Sequence, residues 1–305
     1  MTNKTPAPFD ISAPFDVTAR SAGTPEETPV WLITGSSSGL GRALAEHALE
    51  RGDRVAVTAR DAASVADLAA AYGDRALALR LDVTDPASVA AAVEASEKEF
   101  GRIDVLVNNA GYGYLAAVEE GEDAAVRALY DTNVHGVVTV LKAVLPGMRA
   151  RRRGRIVNVS SFGGLAAFAA TGYYHATKFA LEGLSESLAA EVGPLGIAVT
   201  IVEPGGLRTR WAGSSMRQSA TRLEDYEQTA GQRRAATLAV SGRQPGDPVR
   251  AAAAIAAVVD AAAPPLRLLL GSDALAGARA RLERLQGEID ANETLTRSTD
   301  LEPRP

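Results

Sequence analysis

From Val30 onward, short β-rich apolar runs alternate with longer stretches whose apolar residues recur at helical spacing. The strand candidates are 30–34 (VWLIT), 54–58 (RVAVT), 76–81 (ALALRL), 105–108 (VLVN), 155–160 (RIVNVS), 198–202 (AVTIV) and 266–270 (LRLLL). Helix candidates lie at 40–51, 62–71, 86–100, 122–150, 174–192 and 248–261. Asp85-Pro86 and Asp247-Pro248 read as N-cap plus first helical residue, where proline's missing N–H costs nothing. Such alternation builds right-handed βαβ units, so the pattern predicts an α/β fold with a doubly wound, mainly parallel seven-stranded sheet and helices on both faces.

No linker interrupts 30–271, which reads as a single catalytic domain with two appendages. Residues 1–29 are rich in Pro, Thr and Ser without apolar period and predict a mobile N-terminal extension. Their one regularity is a repeated APFD, which would bring Phe9 and Phe15 to the body or to a partner if it is more than chance. Residues 272–305 are a C-terminal helical extension and tail, with Leu275, Leu282, Leu285 and Ile289 on one stripe of a helix at 273–290. Within the domain, 207–246 is a long excursion with weak helical pattern, as substrate lids and binding loops often are.

Composition narrows the functional classes. At 46% hydrophobic and 23% charged, the chain can bury a full-sized core. A net charge of −5 argues against nucleic acid as a partner. The one dense basic run, Arg149, Arg151, Arg152, Arg153 and Arg155, falls where a long helix ends, and cations complement the negative end of a helix dipole. The absence of cysteine excludes disulfides, thiolate metal sites and a cysteine nucleophile. Only His47, His135 and His175 are available, so no metal site is expected. The N-terminus lacks the basic and apolar regions of a signal peptide. The longest apolar run, 251–259, is far short of the roughly 20 residues that span a bilayer, so a cytoplasmic protein with no membrane partner is expected.

The first strand runs into Thr34-Gly35-Ser36-Ser37-Ser38-Gly39-Leu40-Gly41, and a helix follows. Glycines there allow a tight turn and close approach to a pyrophosphate, while the helix start offers unpaired N–H groups. The spacing is G-x-x-x-G-x-G, a variant of the dinucleotide fingerprint. In this architecture a carboxylate after the second strand would hold the ribose of NAD, and an arginine the 2′-phosphate of NADP. Here that strand ends Thr58-Ala59-Arg60-Asp61, with Asp61 placed to cap the next helix. Arg60 therefore predicts NADP(H).

Further motifs follow in order: Asn108-Asn109-Ala110-Gly111, Ser161, Tyr174-His175-Ala176-Thr177-Lys178, and Pro204-Gly205 with Thr209. With the glycine turn, this set resembles the classical short-chain dehydrogenases/reductases over about 30–271. The resemblance implies a Rossmann-type sheet of order 3-2-1-4-5-6-7 and one shared site at the C-terminal strand ends. It also implies cofactor contacts from Gly35, Ser37, Ser38, Gly39, Leu40, Gly41, Asp82, Val83, Asn109, Ala110, Gly111, Tyr174, Lys178, Pro204, Gly205 and Thr209.

Tyr174 and Lys178 are four apart at a helix start and share a face; Tyr173 lies off it. An adjacent ammonium would lower the phenol pKa from about 10 toward working pH. By resemblance, Tyr174 is the general acid/base, Ser161 orients the substrate oxygen, and Asn133 completes a tetrad by supporting a proton relay to Lys178. His175 falls at a variable position of the motif. Val202-Glu203-Pro204-Gly205-Gly206, followed by Arg208-Thr209-Arg210-Trp211, looks like the branch containing hydroxysteroid- and retinol-type dehydrogenases. That suggests a bulky apolar substrate walled by Trp211 and Met216.

The expected activity is NADP(H)-dependent interconversion of a ketone or aldehyde and its alcohol. A non-catalytic NADP(H)-binding redox-sensing regulator is the alternative, and a non-redox lyase or epimerase a third. An intact Asn133, Ser161, Tyr174 and Lys178 set speaks against a mere sensor. Relatives commonly form homodimers or homotetramers through the helices at 122–150 and 174–192, so a homo-oligomer is expected.

Overall fold

The computed structural model describes residues 28–301 apart from 210, 212 and 214, so the Phe9 and Phe15 repeat lies outside the described residues. The strands are β1 (Val30–Ile33), β2 (Arg54–Ala59), β3 (Ala76–Arg80), β4 (Val105–Asn108), β5 (Gly113–Leu115), β6 (Gly154–Val159), β7 (Ile197–Pro204), β8 (Met216–Gln218) and β9 (Arg267–Leu270). The helices are α1 (Gly39–Glu50), α2 (Ala66–Tyr72), α3 (Pro86–Phe100), α4 (Asp123–Tyr130), α5 (Gly136–Arg151), α6 (Gly172–Val192), α7 (Gln232–Ala239), α8 (Pro248–Asp260), α9 (Ser272–Ala291) and α10 (Glu293–Arg297).

Seven strands form one sheet in the order β3-β2-β1-β4-β6-β7-β9. Every pairing is parallel, which is the expected Rossmann-type order. The two-residue side-chain period divides the core. Trp31 and Ile33 of β1 pack with α1, α2 and α8, whereas Val30 and Leu32 face α3, α5 and α6. Burial on both faces explains why the central strands read as continuous apolar runs. Asp85 and Asp247 cap α3 and α8 by accepting from Ala87 N and Val249 N, each with proline at the first helical position.

Three departures from the sequence pattern matter for the site. The helix expected over 122–150 is α4 and α5 joined by a π-helical segment, Asp131–His135. The excursion after β7 contains β8 and α7, and β8 pairs in parallel with β5 as a small second sheet. The C-terminal helix α9 buries Ala274 and Ala278 near its start, whereas Leu282, Leu285 and Ile289 are exposed.

Much of the basic run is spent on carbonyls. Arg151 donates to Ile103 O at 2.7 Å and Arg152 to Pro194 O at 2.7 Å. Arg155 reaches Val259 O and Ala261 O at the end of α8, at 3.2 and 3.3 Å. Among the described residues, no helix is long and apolar enough to cross a membrane.

Candidate active site

The C-terminal ends of the central strands open onto a cleft of about 860 Å³. Ligands of open α/β sheets bind at this edge, where the strand order reverses between β1 and β4. On one side is the glycine turn. Gly35 and Gly39 have φ of +73° and +61°, values that disfavour a side chain. A Cβ at Gly41 would overlap the Asn109 amide and the Gly35 carbonyl, so this glycine lets the helix sit against its neighbour rather than touch the cleft.

The turn is knitted to the segment after β4. Thr34 Oγ1 accepts from Asn109 N at 2.9 Å and Ala110 N at 3.0 Å, and Asn109 Nδ2 donates to Thr34 O at 2.9 Å. Ser38, the residue before α1, makes no side-chain capping bond, so the first-turn amides have no side-chain partner there, and Ser38, Gly39 and Leu40 line the cleft. Thr209 closes over the turn, with a methyl carbon 3.6 Å from where a Gly39 Cβ would lie.

Arg60, Asp82 and Val83 line the cleft beyond the ends of β2 and β3. Asp61 is committed elsewhere: its side chain caps the next helical turn by accepting from Ala63 N at 3.0 Å. Asp82 accepts from Thr84 Oγ1 at 2.7 Å and Thr84 N at 3.0 Å. Those bonds, aided by the Arg60 charge, outweigh burial and hold its carboxyl below the ordinary value.

Across the cleft, Ser161 follows β6, where its Oγ accepts from Gly163 N at 3.0 Å. Tyr174 and Lys178 project from α6, 6% and 7% exposed. The Lys178 ammonium donates to Val159 O at 2.8 Å and lies 5.8 Å from the Tyr174 ring centroid. Here the electrostatics differ from the sequence expectation. Burial pushes the phenol up to about 12, against the hydrogen bond with Ser161 that favours its ionised form. Burial also pushes Lys178 down to about 8, opposed by the Glu182 charge. The reason is common to both: removal from water penalises either charge.

Asn133 occupies the π segment, a feature frequent at functional sites. It stands behind the cleft wall. Its Nδ2 donates to Tyr112 O at 3.0 Å and Thr177 Oγ1 at 3.1 Å, and its Oδ1 accepts from Tyr112 N at 3.2 Å. Pro204, Gly205, Thr209, Trp211 and Met216 all line the cleft, as do Ser37, Leu40, Ala110 and Gly111. The Trp211 and Tyr174 rings are 5.2 Å apart. His175 is a structural pin: its Nδ1 accepts from Phe168 N at 3.1 Å.

Sequence reasoning missed Phe162, Phe168 and Arg233, which also line the cleft. No periodicity marks residues of separate loops that meet only in three dimensions. It also missed a buried cluster beside Lys178, in which Arg267 bridges Glu182 and Glu203. A carboxylate immediately before the Pro204-Gly205 motif, in an otherwise apolar strand, was the available signal.

A parallel doubly wound sheet, a glycine turn at its switch point and a Tyr/Lys/Ser cluster in one cleft define a nucleotide-dependent oxidoreductase. Residues 29–220 match the family described as short chain dehydrogenase, and the chain belongs to that family. It is 44% identical over 249 residues to an oxidoreductase, BOA17, of Botryotinia fuckeliana, covering 81% of this chain and 90% of the relative. A short-chain dehydrogenase structure from Streptomyces avermitilis superposes with a TM-score of 0.85 at 44% identity, covering 90% of this chain and 99% of the other. A Burkholderia phymatum short chain dehydrogenase/reductase in complex with NAD superposes with a TM-score of 0.74 at 25% identity, over 86% and 95%.

Proposed function

We propose that the protein uses NADP(H) to interconvert a ketone or aldehyde and its alcohol. The observation that carries this reading is the presence of Tyr174, Lys178 and Ser161 in the same cleft as the glycine turn. The residues suit a dinucleotide: uncapped α1 amides and left-handed glycines for a pyrophosphate, and an exposed Arg60 for a 2′-phosphate. The β2 end carries Ala59 where an NAD-selective site would have a carboxylate, and Asp61 is occupied as a cap.

Bound nicotinamide would supply or accept hydride at the substrate carbon. In reduction, the neutral Tyr174 phenol gives its proton to the carbonyl oxygen as negative charge develops there, and Ser161 donates to the same oxygen. The Lys178 ammonium stabilises the tyrosinate left behind. Asn133 acts at one remove, fixing the Tyr112 backbone and Thr177 behind the wall. Trp211 and Met216 wall the substrate beside the phenol. We place the protein in the cytoplasm, as a homodimer or homotetramer; the partly exposed Phe179 on α6 suits such association.

The test is NADPH and NADH oxidation with a panel of aryl and alkyl ketones. Faster turnover with NADPH supports the reading. Tight NADPH binding with no ketone consumed would favour a sensor.

A further inference from the structure

A row of ring contacts leads away from Tyr174 along the cleft. The Tyr174 and His175 rings are 5.8 Å apart, His175 meets Phe168 edge-on at 5.5 Å, and the Arg233 guanidinium lies 4.8 Å from the Phe168 ring centroid. All four residues line the cleft, as do Met216 and Trp211, whose ring lies 5.2 Å from that of Tyr174. One wall of this trough is therefore a row of rings that starts at Tyr174 and ends at a cation.

The charges along it are accounted for. Burial, helped by the Arg233 charge, pushes His175 down to about 4, so the imidazole is neutral at neutral pH. Of the cleft-lining carboxylates, Asp82 is bonded to Thr84 and Asp273 accepts from Gly206 N at 2.8 Å. Asp131 acts on Tyr112, over whose ring Arg217 lies at 4.3 Å. The neighbouring Arg234 turns inward to Glu120. Among the described residues, no carboxylate stands within ion-pair distance of Arg233. A guanidinium lying on a ring has one face shielded from water, while its N–H edge keeps the planar fork that suits a carboxylate.

We propose that this trough selects carbonyl compounds whose apolar body ends in a carboxylate, with the carbonyl at Tyr174 and Ser161 and the carboxylate at Arg233. The inference rests on the oxidoreductase reading above and adds a substrate class to it. Arg233 acts as a binding residue, remote from the reacting atoms.

The experiment compares 4-acetylbenzoate, 3-(4-acetylphenyl)propanoate and 5-(4-acetylphenyl)pentanoate with their methyl esters, by calorimetric titration of the protein saturated with NADP+. At one of these lengths or more the acid should bind about tenfold or more tighter than its ester. Arg233→Met, which keeps an apolar cover on Phe168, should abolish that preference, whereas Arg217→Met should preserve it. The proposal is overturned if no acid binds better than its ester, or if the preference survives in Arg233→Met. A role limited to propping Phe168 would weaken acid and ester equally and counts against it. NADPH oxidation with the same ketones separates the two readings. Selective binding without turnover would sink the oxidoreductase reading alone, and turnover without acid preference would sink only the substrate class.

Discussion

Arg234 Nη2 lies 2.5 Å from Glu120 Oε2, joining α7 to the segment before α4 by an ion pair whose side chains are 8% and 2% exposed. Around it, Glu120 Oε1 accepts from Leu223 N at 3.0 Å, and Glu122 Oε1 accepts from Ser219 Oγ at 2.7 Å and Ala220 N at 2.8 Å. The excursion after β7 is thus fastened to the body by two carboxylates. Glu120→Ala leaves the Arg234 charge buried and unpaired, which typically costs about 3–5 kcal/mol. Calorimetry should show a lower unfolding midpoint, and limited proteolysis should show earlier cleavage within 207–246.

The same fastening should loosen in acid. For Glu120, burial opposes ionisation, but bonds from the Leu223 and Ala117 amides and the Arg234 charge prevail and keep its pKa below the ordinary value. The Tyr114 hydroxyl, then Ser219, draw Glu122 down to about 2. Carboxyls depressed in the folded state contribute stability above their unfolded values, near 4.3, and lose it as pH falls through the folded ones. Protease susceptibility of 207–246 should therefore be flat from pH 8 to 5 and rise below about pH 4. A rise already near pH 6 would contradict this.

The sheet was legible because seven apolar runs alternate with amphipathic helices, and the glycine turn and Tyr174/Lys178 pair were legible because each is local in sequence. The fastening was not. Glu120 and Ser219 are 99 residues apart and bonded through Ser219 Oγ to Glu120 O, and neither interrupts a periodic pattern. The π segment was hidden for another reason: it adds residues to a helix without altering composition, so 122–150 reads as one helix although Asn133 sits at a break. Electrostatics were read half correctly, since spacing placed Lys178 near Tyr174 but could not show that both are buried.

If NADP(H) is the cofactor, as proposed above, Arg60, which lines the cleft, is the residue that should discriminate it from NAD(H). Arg60→Ala should raise the Km for NADPH about 10- to 100-fold, the loss of one or two charge-assisted hydrogen bonds, and leave NADH use within about twofold. Steady-state kinetics with both cofactors check this; equal losses would contradict it.

The buried carboxyls beside Lys178 predict a different pH trend. Burial, then the Glu182 charge, push Glu203 up to about 7, against the Arg267 hydrogen bond. An acid whose folded pKa exceeds its unfolded one holds a proton that the unfolded chain has lost, so stability falls as pH rises between the two. The contribution should decline from about pH 4.3 to 7. Glu203→Gln should flatten the fall in Tm between pH 5 and 8, whereas parallel curves for the two proteins would remove Glu203 as the cause.

The central claim is that Tyr174 delivers the proton in a reaction run on bound NADPH. Its most direct test is Tyr174→Phe, with NADPH affinity and the single-turnover rate of ketone reduction measured on the same sample. NADPH should bind within about threefold of wild type, while the rate falls at least 100-fold, the loss expected for a general acid. Reduction by Tyr174→Phe at the wild-type rate would contradict the account.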